Sequence, residues 1–216
     1  MEDNAIVVFT RYPEPGQTKT RLIPALGEEG AANFHKNLMI KTLGTVVNYT
    51  SGDSSEFIVS FSDSDLDKIK KLLGPDLNYC KQREGHLGQK LKGCFKQIFK
   101  NDYKKALIIG SDIPEIGPQH LEIASKKLDT HEIVLGPAYD GGYYLIGMTA
   151  SSFSPRIFEN IEWGGSTVLE NTLDRIKTLN QDYYLLPELK DIDTPEDLNT
   201  LKNNNNQLYQ LLTEGI

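Results

Sequence analysis

Short apolar runs alternate along this chain with longer stretches in which apolar positions recur every three or four residues. Ala5-Ile6-Val7-Val8-Phe9 is apolar at every position, which suits a strand covered on both faces. From about Glu28 to Val47, residues Ala31, Phe34, Leu38, Leu43 and Val46 follow mixed three- and four-residue steps and predict a helix. Phe57 to Phe61 reads as the next strand. Asp63 and Asp65 open a helix that ends near Leu73, stopped by Gly74-Pro75. Leu77 to Lys81 is a weaker strand, Leu87 to Phe99 an amphipathic helix, and Ala106 to Ile109 the clearest central strand. A helix over about Pro118 to Leu128 and a strand over Glu132 to Leu135 follow, with later strands at Tyr143 to Met148 and Asp182 to Leu186.

Alternating β and α elements with short connections predict an α/β fold: a mostly parallel central sheet with helices on both faces, Rossmann-like in layout. No repeat and no Pro- or Ser-rich linker interrupts the chain, so a single domain over residues 1–216 is expected. Asn203 to Asn206 reads as a short hinge before a final amphipathic turn or two. In sheets of this kind ligands bind beyond the carboxyl ends of the strands, which directs attention to the loops found there.

Composition narrows the classes. The 216 residues are 38% hydrophobic and 25% charged, enough apolar material for a core. The net charge of −7 provides no footprint for a long polyanion, so no nucleic-acid partner is expected. Mean hydropathy is −0.40, and no apolar run nears the roughly 18 residues of a membrane span. The start, Met1-Glu2-Asp3-Asn4, lacks the basic-then-apolar order of a secretory signal, and a cytoplasmic location is expected. Cys80 and Cys94 are too few for a disulfide framework or a cysteine zinc site, and His35, His86, His120 and His131 are scattered without ligand spacing.

Four loops carry residues with chemical potential. Arg11 to Leu22 follows the first strand; Pro13, Pro15 and Gly16 stiffen it, and Arg11, Lys19 and Arg21 against Glu14 leave it with a local charge of +2. Lysine, arginine forks and backbone amides are what a di- or triphosphate requires, and Lys19 is the group best suited to a phosphate at the bond being broken. Thr18 stands where a Walker A loop needs glycine, and no Gly-x-Gly-x-x-Gly occurs. A solvated basic loop is the plainer alternative.

Gly110-Ser111-Asp112-Ile113-Pro114 ends the best central strand, where a carboxylate is placed to hold a divalent ion against phosphate oxygens, or simply to cap a turn. Gly136 to Tyr144 contains Asp140-Gly141-Gly142, a tight turn with a carboxylate at its tip; a plain hairpin explains it as well. Asp191 to Leu198 puts Asp193 or Thr194 at a helix cap with Pro195 at the first position. Arg83 to Lys90 is a glycine-containing turn, with Gly85 and Gly88, that either touches a base or ribose or only connects elements. Trp163 to Thr167 reads as a lid or a buried anchor before a helix.

Taken together and in order, Arg11-x-Pro13-x-Pro15-Gly16-x-x-Lys19-Thr20-Arg21-Leu22, Gly110-Ser111-Asp112-x-Pro114, Gly136-Pro137-Ala138-x-Asp140-Gly141-Gly142-Tyr143-Tyr144 and Asp191 to Leu198 resemble the nucleotide-diphospho-sugar transferase superfamily, the glycosyltransferase A fold, and within it the DUF2064 group. The likeness spans Ala5 to about Leu201. Relatives of that group include guanylyltransferases that cap phospholactate and cytidylyl- and molybdopterin nucleotidyltransferases. The resemblance implies that Arg11, Gly16, Lys19, Thr20 and Arg21, with Gly85 and Gly88, contact the nucleotide, and that Asp112 and Asp193 hold Mg²⁺ or Mn²⁺, Asp193 as a second carboxylate on the metal side or else on the acceptor side. It implies an acceptor contact for Asp140, Gly141, Gly142 and Thr194, with Lys19 and Asp140 as the catalytic pair. Two departures stand out: His86 occupies an acidic position of the family's Gly-Asp-Leu-Gly, and Ser111-Asp112 supplies one carboxylate where many sugar transferases carry Asp-x-Asp.

The expected function is metal-dependent transfer from an activated nucleotide to a small acceptor. Glycosyl transfer from a nucleotide sugar is placed first and nucleotidyl transfer from an NTP second, since both need cations where a phosphate leaving group gathers charge. A non-catalytic nucleotide-binding module shares the loops but needs no metal carboxylate. A phosphohydrolase lacks an evident nucleophile or base.

Overall fold

The structure, a computed structural model, describes residues 3–52 and 55–216. Met1 and Glu2, at the start inspected for a signal sequence, lie outside the described residues. Seven strands form one sheet in the order β3-β2-β1-β4-β6-β5-β7: β1 (Asn4–Arg11), β2 (Ser55–Ser62), β3 (Asn78–Lys81), β4 (Lys105–Gly110), β5 (Ile133–Pro137), β6 (Tyr143–Thr149) and β7 (Tyr183–Leu185). The helices are α1 (Ile23–Thr50), α2 (Leu66–Leu73), α3 (Leu87–Lys100), α4 (Pro118–Lys127), α5 (Val168–Thr178), α6 (Pro195–Asn204) and α7 (Asn206–Leu212). The mostly parallel α/β sheet is as expected, with β6 alone antiparallel to both of its neighbours.

The apolar runs become strands because each has a cover on both sides. Along β1, Ile6 and Val8 pack with Met39, Leu43 and Val46 of α1 and Leu121 and Ala124 of α4. Val7 and Phe9 pack on the opposite face with Leu91, Phe95 and Ile98 of α3 and Ile176 of α5. Leu107 and Ile109 of β4 join the first cluster, while Ala106 and Ile108 join the second. A third cluster seats α6 and α7 on α1, where Phe34 and Leu38 meet Ile192, Leu198, Leu201 and Leu212.

Local signals account for several helix ends. Asp65 caps α2 by accepting from the Lys68 amide at 2.8 Å, and Gly74 ends it at φ 99°. In α1 a first turn carrying Pro24 is separated from the rest by Gly27 at φ 72°, so the regular helix starts at Glu28, where the periodicity predicts it. The tail differs from expectation: α6 runs through Asn203 and Asn204, and the hinge shrinks to Asn205, whose side chain accepts from the Leu208 amide and starts α7. Asparagine is a good cap, and the cap nucleates the last helix.

Two features place the site. β1 pairs with β2 on one side and β4 on the other, so the crossovers leave in opposite directions at the β1–β4 seam; this is the switch point at which open α/β sheets bind ligands. Phe9 lies opposite Gly110 across that seam, so Arg11 and Asp112 emerge side by side. Among the described residues no helix is long and apolar enough to cross a membrane.

Both thiols are free, and burial, with Cys80 as a lesser contributor, pushes Cys94 up to about 12. The native chain should therefore resist iodoacetamide at pH 8 at Cys94 and react there readily in denaturant, as peptide mass mapping of the alkylated protein would record.

Candidate active site at the β1–β4 switch point

The loop after β1 is held by its own polar groups. The Thr18 hydroxyl donates to Tyr12 O at 3.3 Å and accepts from the Glu14 amide at 3.2 Å, and the Gln17 amide donates to Glu14 O at 3.1 Å. Gly16 supplies the φ of 75° that the turn requires. Lys19 then adopts left-handed backbone angles, φ 50° and ψ 44°, before a short 3₁₀ turn over Thr20–Leu22. That conformation is uncommon for a side chain of this size and costs about 1–2 kcal/mol. It persists here because the side chain is fixed at its far end.

The fixing is electrostatic. The Lys19 side chain is only 5% exposed, and its ammonium lies 2.7 Å from Asp193 Oδ1 and 2.9 Å from Asp112 Oδ1. Burial acts to lower the Lys19 pKa, but the two carboxylates outweigh it and the net shift is upward. Burial likewise acts to raise Asp112, yet Lys19 and His35 prevail and hold it well below the usual carboxylate range. Arg21 is mostly exposed and stands 3.9 Å from Asp193 Oδ2.

A cavity of about 220 Å³ opens over this group. Arg11, Lys19, Thr20 and Arg21 line it from the loop, Asp112 from the end of β4, and Asp193 from the segment before α6, with Gln17, Thr18 and His35 completing the wall. Cations, hydroxyls and two carboxylates on one small hollow suit a polyphosphate with its counter-ion. The donor set fits a hard divalent cation, because Mg²⁺ typically takes one or two protein carboxylates and completes its shell with water and phosphate oxygens. Lys19 and His35 both approach Asp112 at Oδ1. Among the described residues no group of three or more His, Cys, Asp or Glu gathers into a metal site of its own.

Asp193 is delivered to the β1–β4 seam from the β7 edge of the sheet. After β7 the chain runs alongside β5 through Leu186 N to Leu135 O and Leu189 N to Pro137 O, and Ile192 is buried against α1. Thr194, not Asp193, caps α6: its hydroxyl accepts from the Asp197 amide at 3.2 Å and donates to Asp197 Oδ2 at 2.7 Å. Burial raises Asp197, but bonds from Lys190 and Thr194 overcome it and bring it down to about 2. The capping work resolves the two sequence readings of this segment: the threonine starts the helix and the neighbouring carboxylate is released to Lys19.

The remaining expected residues lie around this centre. Asp140 Oδ1 accepts from the Gly142 amide at 2.8 Å, in the turn of a hairpin between β5 and β6, and does not line the cavity. Gly141, at φ 86°, packs so closely on Ser166 O that a Cβ would come within 1.9 Å of it. Asp140 and Asp193 both act on Asp191, which burial first, and then these two charges, raise above the ordinary carboxylate value. Gly85 stands outside the cavity wall at φ 113°. Gly88 is buried under Trp163, whose ring a Cβ would meet at 2.3 Å, and His86 stacks on the same ring at 6.1 Å. Trp163 thus anchors the segment before α5 against α3.

His35 is the site residue the sequence reading passed over. It is 2% exposed, with Nε2 3.3 Å from Arg11 O and Nδ1 3.5 Å from Asp112 Oδ1. Its signal was local: a histidine on the helix face that Ala31, Phe34, Leu38 and Met39 bury. A polar ring in that stripe needs partners, and here they are two strand ends.

Comparison with known proteins places the chain. Residues 45–165 match the family described as "Uncharacterized protein conserved in bacteria (DUF2064)", and the chain belongs to that family. A 2-phospho-L-lactate guanylyltransferase of Methanobrevibacter smithii is 30% identical over 200 residues, covering 89% of this chain and 80% of that protein. The enzyme of the same name from Methanocaldococcus jannaschii is 29% identical over 195 residues, with 88% and 80% covered. A crystal structure from Desulfovibrio desulfuricans, described as a nucleotide-diphospho-sugar transferase, superposes with a TM-score of 0.90 at 31% identity over 99% of this chain and 95% of that one. The chain is an enzyme of this transferase class.

Thr194→Ala removes the α6 cap and should cost about 1 kcal/mol in a urea titration, within the usual span for a lost threonine cap.

Proposed function

We propose that this DUF2064 member is a nucleotidyltransferase: it transfers the nucleoside monophosphate of an NTP, GTP first among candidates, to a small phosphorylated acid and releases pyrophosphate. The observation that carries the reading is the Lys19 ammonium, buried between Asp112 and Asp193 at the switch point with Arg11 and Arg21 beside it. Two relatives named as guanylyltransferases, alike over four fifths of their length, move the weight from glycosyl transfer to nucleotidyl transfer. Glycosyl transfer stays as the second reading on the strength of the Desulfovibrio desulfuricans structure.

The chemistry asks for little beyond charge and position. An acceptor phosphate oxygen attacks the α-phosphorus of the NTP, the bond from that phosphorus to the bridging oxygen breaks, and the electron pair leaves on pyrophosphate. A phosphate monoester has its second pKa near 6, so the attacking oxygen is already anionic at pH 7 and needs no general base. That economy suits a cavity whose two carboxylates pair with Lys19 and, in this reading, pass to the cation when the nucleotide enters, whereas a sugar hydroxyl would ask for a base. Lys19 and Arg21 stand where negative charge gathers on the leaving group, and Lys19 exchanges its carboxylate partners for phosphate oxygens as the nucleotide enters. Asp112 and Asp193 would hold Mg²⁺ or Mn²⁺, which when bound supplies Lewis-acid neutralisation of the phosphates. Asp140 and its hairpin turn stand on the acceptor side, with Gly141 and Gly142 keeping the backbone close.

Incubation with GTP, ATP, CTP or UTP, Mg²⁺ or Mn²⁺ and 2-phospholactate should release pyrophosphate only when an acceptor is present. Release of a nucleoside diphosphate from a nucleotide sugar, with no pyrophosphate from any NTP, overturns the proposal. Lys19→Ala removes a transition-state contact worth about 3 kcal/mol and should lower turnover by about 10² or more. Turnover near that of the wild type would remove Lys19 from the mechanism.

A further inference from the structure

His35 lies outside every motif of the four loops, yet it joins two of them. It stands on α1, and its ring sits between the end of β1 and the loop after β4, with Nε2 3.3 Å from Arg11 O and Nδ1 3.5 Å from Asp112 Oδ1. A backbone carbonyl and a carboxylate can only accept, and a neutral imidazole has one N–H to offer, so the two acceptors compete for the donor of this ring. Nδ1 is fully buried and makes no hydrogen bond among the described residues, so the Asp112 carboxylate at 3.5 Å is the acceptor that a donor there would reach. The same helix holds the far side of the Asp112 loop, because Lys41 Nζ donates to Ile116 O at 2.7 Å. Helix α1 therefore fixes that loop at two points, and only the His35 point bears on the carboxylate.

Asp112 has two holders, Lys19 and His35, both on Oδ1. They differ in what substrate does to them. Lys19 is within reach of incoming phosphates and is drawn off by them in the reaction proposed above. The His35 ring is short and set in the buried stripe of α1 with Ala31, Phe34, Leu38 and Met39, so it stays.

We infer that His35 is a positioning residue that keeps the Asp112 carboxylate turned toward the divalent cation once Lys19 has moved to the substrate phosphates. The inference rests on the nucleotidyl-transfer reading for its timing and on the β1–α1–β4 contacts for its geometry. Groups that orient a metal-binding side chain from behind commonly set its affinity as strongly as the ligand's own identity does.

Two amide variants separate this role from simple packing. The asparagine amide nitrogen overlays the imidazole Nδ1 and the glutamine amide nitrogen overlays Nε2. His35→Asn thus keeps the donor toward Asp112, and His35→Gln keeps the one toward Arg11 O. Crystal structures of both variants would show the Asp112 rotamer, and electron paramagnetic resonance of free Mn²⁺ would measure Mn²⁺ affinity in the presence of GTP. His35→Gln should turn Asp112 away and weaken Mn²⁺ binding by about 10- to 100-fold, with kcat falling and the KM for GTP nearly constant. His35→Asn should keep the wild-type rotamer and affinity. An unmoved Asp112 with unchanged Mn²⁺ affinity in His35→Gln overturns the inference, as does an equal loss in both variants, which would assign His35 to the Arg11 carbonyl or to packing. If the glutamine variant does not fold, His35→Ala set against His35→Asn makes the same comparison. A wild-type protein that binds no Mn²⁺ with any of the four NTPs defeats the nucleotidyl-transfer reading instead, while the Asp112 rotamers in the variant crystals still decide the role of His35.

Discussion

A lysine ammonium taken almost completely out of water needs counter-charge, and the architecture of this chain follows from where that counter-charge stands. Desolvating such a group alone costs several kcal/mol. Lys19 avoids it with two carboxylates at 2.7 and 2.9 Å, one from Asp193, which lies 174 residues away along the chain, and one from Asp112. The three segments therefore cannot drift apart without exposing a buried, unpaired charge. The left-handed backbone at Lys19 is tolerable for the same reason: the ion pairs at the end of the side chain outweigh the strain at its root.

The rest of the fold reads as support for that triangle. The β1–β4 seam brings two loops out together, and Thr18 ties the first of them to its own backbone. The third corner arrives by a longer route, since α6 must dock on α1 through Ile192, Leu198 and Leu201 before Asp193 can reach the site. Thr194 takes over the start of α6 and so frees its neighbour. Beneath the triangle, His35 and Lys41 of α1 hold the Asp112 loop from behind. Toward the Asp140 hairpin the charge is negative: burial first, and then Asp140 and Asp193, raise Asp191 above the ordinary carboxylate value.

How much of this was readable along the chain depends on the range of the cause. The run from Ala106 to Ile109 and the alternation around it were enough to place β4, and a carboxylate three residues beyond its last apolar position marked Asp112. The two prolines and the glycine of the first loop and its three cations marked the turn whose Arg11, Lys19 and Arg21 line the cavity. Asp65 and Gly74 bounded α2 as their side-chain and backbone preferences dictate. By contrast, the antiparallel course of β6 stood in the sequence only as an alternative, the plain hairpin at Asp140-Gly141-Gly142, and the pairing decides for it. A seven-residue apolar strand is the same in either direction, and only the short Asp140-Gly141 connection to β5 makes the antiparallel pairing. Gly88 was expected at the nucleotide and lies under Trp163, because the space a missing Cβ leaves is claimed by whichever large ring packs there.

The sequence by itself determined the alternation of strands and helices, the sites of the caps and turns, and the inventory of charged groups at the strand ends. These arise from periodicity, backbone preference and side-chain chemistry, which act within a few residues. Tertiary structure decided which carboxylates meet Lys19 and that a histidine on the buried stripe of α1 stands behind Asp112. Those outcomes depend on distances between segments far apart in the chain, and such distances are set only when the sheet order and the docking of α1 and α6 bring the loops to one edge.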